Sequence, residues 1–395
     1  MSSSPTFKNI SNITIKVIRE PEDLDNLLPH WKNLLQTELY KLPAIDPEHY
    51  CFELIRLGET VKPYIICIWE REKLVSMLIA RKEHIKFPLR LGYLTLKRVP
   101  AKRILVFHGG FIGKKDEKTI LQIYYTLRRS LDAGEADLAV VNHLHCDTLI
   151  YKKIRSNSPL FRVIYSPRKD GHWLMELPDS METFYMNKPR KQRYDLRRKI
   201  KKVEREYIVE VKKYMYEENI LEGLRSASFV SSRSFQFALD VGLYDDEKTR
   251  LYCKFISKLG WIRIYILYIN NEPSAYEWGI KYGDRFFLMT LGFDPKWKKE
   301  SVGNVLFQKV LKDLIDIEHV KFLDFGFGDA EYKRHFATRR LETQSLYIYS
   351  NKLYSLILNM IAYTITLIWK LSIWITRLIG IESKIKRLWK DHLVK

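Results

Sequence analysis

The stretch FLDFGFGDAEYKRHF, residues 322–336, holds the densest set of side chains suited to chemistry. An apolar run with the character of a strand ends in Gly-Phe-Gly, and Asp329, Glu331, Tyr332, Lys333, Arg334 and His335 follow at once. Open α/β sheets bind ligands beyond their strand ends, so this order predicts either a polar turn or the rim of an active site. Asp329 and Glu331 are suited to the work of a general base, and Tyr332 to protonating a leaving group. Lys333 and Arg334 are suited to holding an acceptor or a phosphate. Plainer readings stand beside these. Asp329 can cap a short helix, Tyr332 can pack, Lys333 and Arg334 can form a solvated face, and His335 next to Phe336 and Ala337 can be structural. Glu277, inside AYEWG, lies on a predicted strand and faces either an acceptor groove or solvent.

These residues need a partner element, and LGFDPKWKKESVGNVLFQKVL supplies one. A strand runs into a loop and then into an amphipathic helix. The first turn of such a helix offers unpaired N–H groups and a positive dipole end, which suit a pyrophosphate. Gly303 lets a phosphate approach the backbone, Lys298 and Lys299 add charge, and Ser301 is expected to cap the helix or donate to an oxygen.

The segment Lys298-Lys299-Glu300-Ser301-Val302-Gly303 resembles the coenzyme-A loop of the GNAT acetyltransferase superfamily, Arg/Gln-x-x-Gly-x-Gly/Ala. Lysine stands for Arg/Gln, and serine for the first glycine. With FLDFGFGDAEYKRHFA and the basic segment PRKQRYDLRRKIKKVERE, the chain looks like the CelD/BcsL-like acetyltransferases associated with cellulose biosynthesis. The likeness is good over residues 189–338 and thinner over 14–165. It implies an α/β chain of tandem GNAT-like acyl-CoA N-acyltransferase folds, each a mixed, mostly antiparallel sheet flanked by helices. It implies acetyl-CoA or another acyl-CoA as co-substrate, held by Lys298, Lys299, Ser301, Val302, Gly303 and Asn304. It implies an oxyanion donor among the backbone N–H groups near residues 290–292, and direct attack of an amine or hydroxyl on the thioester. Asp329, Glu331 and Tyr332 are then the catalytic candidates, and Glu277, Lys333 and Arg334 the acceptor-binding ones. The acceptor so implied is a sugar, lipid-linked precursor or other envelope-related molecule. Two rivals share the fold: a FemABX-like aminoacyltransferase using charged tRNA, and a non-catalytic membrane-associated scaffold.

The organisation agrees with two domains. The chain has 395 residues, about two ordinary domains, and 46% are apolar. Predicted strands fall at 14–18, 63–69, 74–80, 137–142 and 161–165, with helices at 21–38 and 117–131. A second unit begins near residue 170. It reads as a basic helix, a strand at 207–214, helices at 217–229 and 247–259, and three antiparallel strands at 261–269, 273–281 and 284–293. A helix at 303–317 and strands at 321–326 and 341–349 complete it. The expected boundaries are a degenerate first copy at 14–168, the cofactor-bearing copy at 170–350, and an apolar and basic helical tail at 352–395.

Net charge is +20, and residues 188–205 carry ten Lys/Arg against two acids. Such a balance suits phosphate-bearing partners. Tyr194 is the only aromatic inside this cluster, which makes RNA the lesser reading. Cys51, Cys67, Cys146 and Cys253 are widely spaced and read as reduced cytosolic thiols. No secretory signal is expected from MSSSPTFKNISN. His143 and His145 fall on one side of an extended chain, but no ligand at zinc spacing follows them, so no metal is expected. His108-Gly109-Gly110 has no accompanying GxSxG, which excludes a serine hydrolase. Residues 353–369 carry no charge and are flanked by basic residues on both sides. A single span would export one basic flank, so an in-plane amphipathic or re-entrant anchor on an anionic cytoplasmic membrane face, with tryptophans at the interface, is favoured over a helix packed on the protein or a partner and over a true span.

Overall fold

The computed structural model describes residues 13–92, 94–159, 162–165, 169–234, 237 and 242–378. The leading MSSSPTFKNISN stretch and the basic tail after residue 378, with Trp389, lie outside the described residues. The chain folds as two units, one of residues up to 170 with 342–378, the other of residues 171–341.

The first unit begins with β1 (Ile13–Ile18), α1 (Leu28–Gln36), α2 (Pro47–Leu57), β2 (Val61–Glu70), β3 (Lys73–Leu91) and β4 (Leu94–Gly113). It continues with α3 (Glu117–Asp132), β5 (Leu138–His145), α4 (Leu149–Asn157) and β6 (Val163–Tyr165). Strands β1 to β4 form an antiparallel meander, and β5 joins β4 in parallel through Arg103↔Leu138 to Val106↔Val141. Helices α3 and α4 cover one face through Ile120, Ile123, Leu127 and Ile154.

The second unit holds β7 (Asp170–Glu176), α5 (Met181–Met186), α6 (Arg190–Glu206), β8 (Val209–Tyr214), α7 (Ile220–Arg233) and α8 (Glu247–Lys258). Then come β9 (Ile262–Ile269), β10 (Glu272–Tyr282), β11 (Arg285–Phe293), α9 (Val302–Asp316), β12 (Phe322–Phe327) and α10 (Glu331–Phe336). Strands β8 to β11 repeat the antiparallel meander, β12 joins β11 in parallel, and β7 pairs antiparallel with β12. The core lies between this sheet and α5, α6 and α9, built from Phe184, Leu196, Val203, Leu306, Leu311 and Phe286.

The chain ends with β13 (Arg339–Tyr349) and α11 (Leu353–Leu378). From Thr343 onward β13 pairs antiparallel with β5 of the first unit. Each unit therefore has the same sequence of strand pairings: four antiparallel strands, a parallel fifth and an antiparallel sixth. Helix α11 packs Leu358, Ala362 and Ile365 against Phe87 and Leu89 of the long β3–β4 hairpin. At the hairpin turn Gly92 has φ +63°, and a Cβ there would stand 2.5 Å from the Trp369 ring.

Several elements depart from the periodicity. The helix expected at 21–38 is a short 3₁₀ turn followed by α1, because Pro29 sets the start of the regular helix. The strand expected at 74–80 runs on to Leu91, and its partner β4 was not expected at all. Lys, Arg and Pro dilute the alternation there, since one face of this hairpin is solvated while Phe87, Leu89 and Ala101 of the other are buried. His143 has φ +46°, which breaks the alternation that would have set it beside His145.

Candidate functional site in the second unit

Strand β11 pairs with β12 only through Arg285↔Phe322, Phe286↔Leu323 and Phe287↔Asp324. Beyond that point the strands part, although β11 continues to Phe293 and β12 to Phe327. The register of β10 against β11 jumps at Trp278/Gly279, so Met289 is an extra residue in β11. Such a bulge bends its strand. From Leu288 to Phe293 the edge of β11 away from β10 has no strand partner among the described residues. Alternate N–H groups along it, within the 290–292 stretch, open on the resulting crevice.

Helix α9 starts beside this crevice. Ser301 stands at its N-cap with φ 56° and ψ 38°, and its side chain makes no capping bond. The expected hydroxyl cap is thus replaced by a left-handed backbone, the conformation glycine adopts most easily. The Ser301 carbonyl accepts from the N–H groups of Asn304 (2.9 Å) and Val305 (3.2 Å). Among the described residues the N–H groups of Val302 and Gly303 donate to no carbonyl. The Val302 side chain is fully buried, so only its backbone is offered to a ligand. A Cβ on Gly303 would touch only the Phe293 ring, at 3.4 Å. Lys298 and Lys299 are exposed and have no acidic partner among the described residues.

The opposite end of α9 is anchored. Just past it, Glu318 accepts from Arg263 (2.6 Å), Lys213 (2.9 Å) and Lys281 (2.9 Å). Burial opposes the Glu318 charge, yet these three cations outweigh it and hold the carboxyl well below the usual range. The buried Gln308 ties α9 to α6 by donating to the Leu196 carbonyl (3.2 Å), and accepts from the Tyr185 hydroxyl (2.9 Å). As a result α6 and the loop before α9 line one cleft of about 1000 Å³, from Arg190 to Arg205 on one side and Lys299 to Ser301 on the other. The basic segment and the loop, separate features in the sequence, share one site.

The acid candidates fare differently. Glu277 on β10 is 4% exposed, and burial pushes its carboxyl well above the usual carboxylate range. The Tyr332 phenol is raised by burial first and by the nearby Glu277 charge second. Asp329 is half-exposed and pairs with Arg334 (3.3 Å) instead of capping α10, whose N-cap residue is Ala330. Glu331 is exposed in the first turn of α10. Lys333 is turned inward, 8% exposed, and donates to the Phe327 carbonyl (2.6 Å). Burial lowers its pKa to about 8, against the opposing charges of Asp324 and Asp329. The Asn304 carbonyl accepts from Gln308 (3.2 Å). His335 meets the Gln192 amide (2.7 Å), and burial and then Lys188 and Lys199 lower its pKa.

Two residues were missed. Asp324 lies at the last paired position before the strands part, with its carboxylate accepting from the Gly326 N–H (2.7 Å) and facing His172 Nε2 at 2.9 Å. Both are buried. The signal was an acid set inside the otherwise apolar FLDFG strand.

In the first unit β4 and β5 also part, beyond Val106↔Val141, but among the described residues the helix end beside them differs. Its equivalent helix α3 is capped by Asp116, whose carboxylate accepts from the Thr119 N–H (2.8 Å). The lysines before it are paired, Lys114 with Glu70 (2.8 Å) and Lys115 with Glu38 (2.6 Å). An anion is therefore poorly served there.

Residues 190–334 match the family model of the acetyltransferase (GNAT) domain. That stretch runs from α6 to α10 and contains the whole crevice. The second unit carries a GNAT-type domain. No curated protein matches the chain in sequence. Among solved structures, FemX is similar at 9% identity and TM-score 0.56, over 84% of this chain and 98% of that one. A tandem GNAT protein from the clavulanic acid biosynthesis pathway is similar at 8% identity and TM-score 0.48, over 84% and 98%. The C-terminal domain of a putative lysylphosphatidylglycerol synthetase from Agrobacterium fabrum is similar at 11% identity and TM-score 0.49, over 86% and 96%. The chain has an α/β GNAT-like fold, a mixed sheet flanked by helices, with an apolar C-terminal helix.

Proposed function

We propose that the chain is an acyl-CoA-dependent acyltransferase of the CelD/BcsL-like type, with its donor site in the second unit. The observation that carries this reading is one coincidence. The parted β11–β12 crevice and the left-over N–H groups of Val302 and Gly303 occur together inside the GNAT-matching segment. The pyrophosphate would lie against those N–H groups, with Lys298 and Lys299 beside it and the thioester in the crevice.

In the proposed reaction an acceptor amine or hydroxyl attacks the thioester carbonyl carbon. A C–N or C–O bond forms, the C–S bond breaks, and the thiolate leaves. Glu277 takes the proton of the nucleophile, a task its raised pKa suits. Tyr332 gives a proton to the thiolate and recovers one from Glu277 or solvent. A β11 N–H within 290–292 steadies the oxyanion. Asp324 and His172 position the end of β12, and Lys333 holds the following loop through the Phe327 carbonyl. Glu331 and the Asp329–Arg334 pair form an exposed rim suited to meeting the acceptor. Acetyl is the expected acyl group, and an envelope-related sugar or lipid-linked molecule the expected acceptor. The outer face of α11 would place the protein on the cytoplasmic side of a membrane.

Calorimetric titration with acetyl-CoA tests this reading, beside Gly303→Glu. The position has room for a side chain, so the variant should keep its fold while repelling pyrophosphate. Saturable binding that the variant loses is expected. Absence of binding by the parent at millimolar ligand would sink the acetyl-CoA reading. The charge of the α6 cleft favours one alternative, aminoacyl transfer from charged tRNA, and tRNA binding without coenzyme binding would select it.

A further inference from the structure

The cleft beside the donor loop is more basic than a free coenzyme requires. Nine Lys/Arg line it against a single acid, Glu300. Some are neutralised locally, Arg197 by Glu182 (2.6 Å) and both Arg198 and Lys199 by Asp195 (2.8 Å each). Arg190, Arg193, Lys201 and Lys299 have no acidic partner among the described residues. Coenzyme A carries about four negative charges, and in the proposed pose all of them sit near one end of this surface.

The ends of α6 fix that geometry. Tyr207, immediately after the helix, packs edge-on against Trp297 at the start of the donor loop (5.2 Å between rings). Gln192, in the first turn, reaches His335 on α10 (2.7 Å). The helix has 17 residues and so is about 25 Å long. A coenzyme held at Val302 and Gly303 leaves its N-terminal half uncovered. That half also presents Tyr194, 69% exposed, and beside it stands Met186 at the end of α5, 61% exposed, with Arg193 against its sulfur (2.8 Å). Arginine, tyrosine and methionine are the residues enriched in protein interfaces. Single-stranded RNA favours a series of stacking aromatics, and this face has one.

We propose that α6 docks an acidic carrier protein that delivers the acyl group as a thioester on a phosphopantetheine arm. The inference rests on the thioester reading of the crevice and names who brings the thioester. The carrier's acidic surface lies along α6, and its arm enters between β11 and β12. The chemistry balances as for the coenzyme: the same C–S bond breaks, and the carrier thiol leaves protonated.

The test is fluorescence anisotropy of a labelled acidic acyl carrier protein in its acyl form, with acetyl-CoA titrated in parallel by calorimetry. Both are run on the full chain and on an Arg190→Glu/Arg193→Glu variant. Arg190 is the first residue of α6 and Arg193 the fourth, both near the positive end of the dipole, so glutamate suits both positions and circular dichroism checks that the fold is kept. Carrier binding at least tenfold tighter than acetyl-CoA is expected, falling steeply between about 50 and 200 mM salt. The variant should lose at least tenfold in carrier affinity and distinctly less for acetyl-CoA, because both arginines line the shared cleft but at the end of α6 opposite the Tyr207–Trp297 contact; an equal loss for both ligands overturns the proposal. Carrier binding no tighter than acetyl-CoA overturns the proposal and leaves the thioester reading standing. Failure of both ligands overturns both. Tighter binding of a single-stranded RNA of matched charge assigns α6 to nucleic acid and overturns it as well.

Discussion

The Asn304 N–H donates to the Ser301 carbonyl at 2.9 Å, a tight i→i−3 turn that opens α9 ahead of the first regular i→i−4 bond, from Val305 to the same carbonyl. It leaves the two preceding N–H groups, those of Val302 and Gly303, pointing out of the helix end. Ser301 achieves the turn in a left-handed conformation that an L-residue occupies at a cost of about 1–2 kcal/mol. Part of that cost disappears with glycine, which instead loses about 0.5–1 kcal/mol of chain entropy. Ser301→Gly is therefore expected to stabilise the chain by up to about 1 kcal/mol in denaturant melts. Ser301→Val, β-branched and intolerant of positive φ, should destabilise it by at least about 1 kcal/mol. Equal stability of the two variants would show that the left-handed turn is not maintained in solution.

Glu277 trades stability for chemistry in the proposed mechanism. Its carboxyl is raised by burial, so its folded pKa exceeds its unfolded value of 4.5. A raised carboxyl contributes stability fully below the unfolded pKa and loses it as pH rises through the folded one. Glu277→Gln cannot ionise. The variant should match the parent near pH 4.5 and become progressively more stable than it toward alkaline pH. Activity should move the other way. The parent rate rises as Glu277 ionises, while the variant loses about 10²–10⁴-fold and the acidic limb of the profile with it. Chemical denaturation at three pH values and a pH–rate profile check both halves. A variant with full activity would remove Glu277 from the role of base.

The donor loop was legible in sequence because its meaning is local. A strand, a loop with Lys298 and Lys299, and an amphipathic helix with Gly303 at its start are all adjacent in the chain. The order of strands in the second unit was legible for a similar reason, since each strand of its meander carries its own apolar run or alternation, whereas Lys, Arg and Pro hid β4 of the first. Asp324 and His172 were not legible, being 152 residues apart and joined only by the β7–β12 pairing. The same holds for the union of α6 with the donor loop, which depends on Gln308 and the core beneath it. The burial of Glu277 is also a tertiary property. Alternation placed it on one face of β10, and only the packing of the second unit shows that face to be covered.

Helix α11 carries more exposed large apolar side chains than any other described element. Residues 353–376 are long and apolar enough to cross a membrane, and only 11% of the most apolar window is buried. A core helix would bury most of it. The inner residues Leu358, Ala362 and Ile365 already pack on the β3–β4 hairpin, so a bilayer crossing would have to strip them from it. Trp369 sits over the hairpin turn at Gly92, and Leu371, Trp374 and Leu378 extend further along the helix, each more than half exposed. The hairpin tip adds Leu94 and Leu96, both 52% exposed. These side chains suit insertion into the headgroup boundary, where burying a large apolar residue contributes about 1.5–3 kcal/mol. The full chain is expected to float with vesicles containing anionic lipid. A Leu371→Ser/Trp374→Ser variant should weaken that binding by at least tenfold without changing its circular dichroism. Release of the parent by high salt alone would mean that charge, and not this apolar face, holds it to the surface. A stable dimer in place of flotation would assign the face to a second copy of the chain.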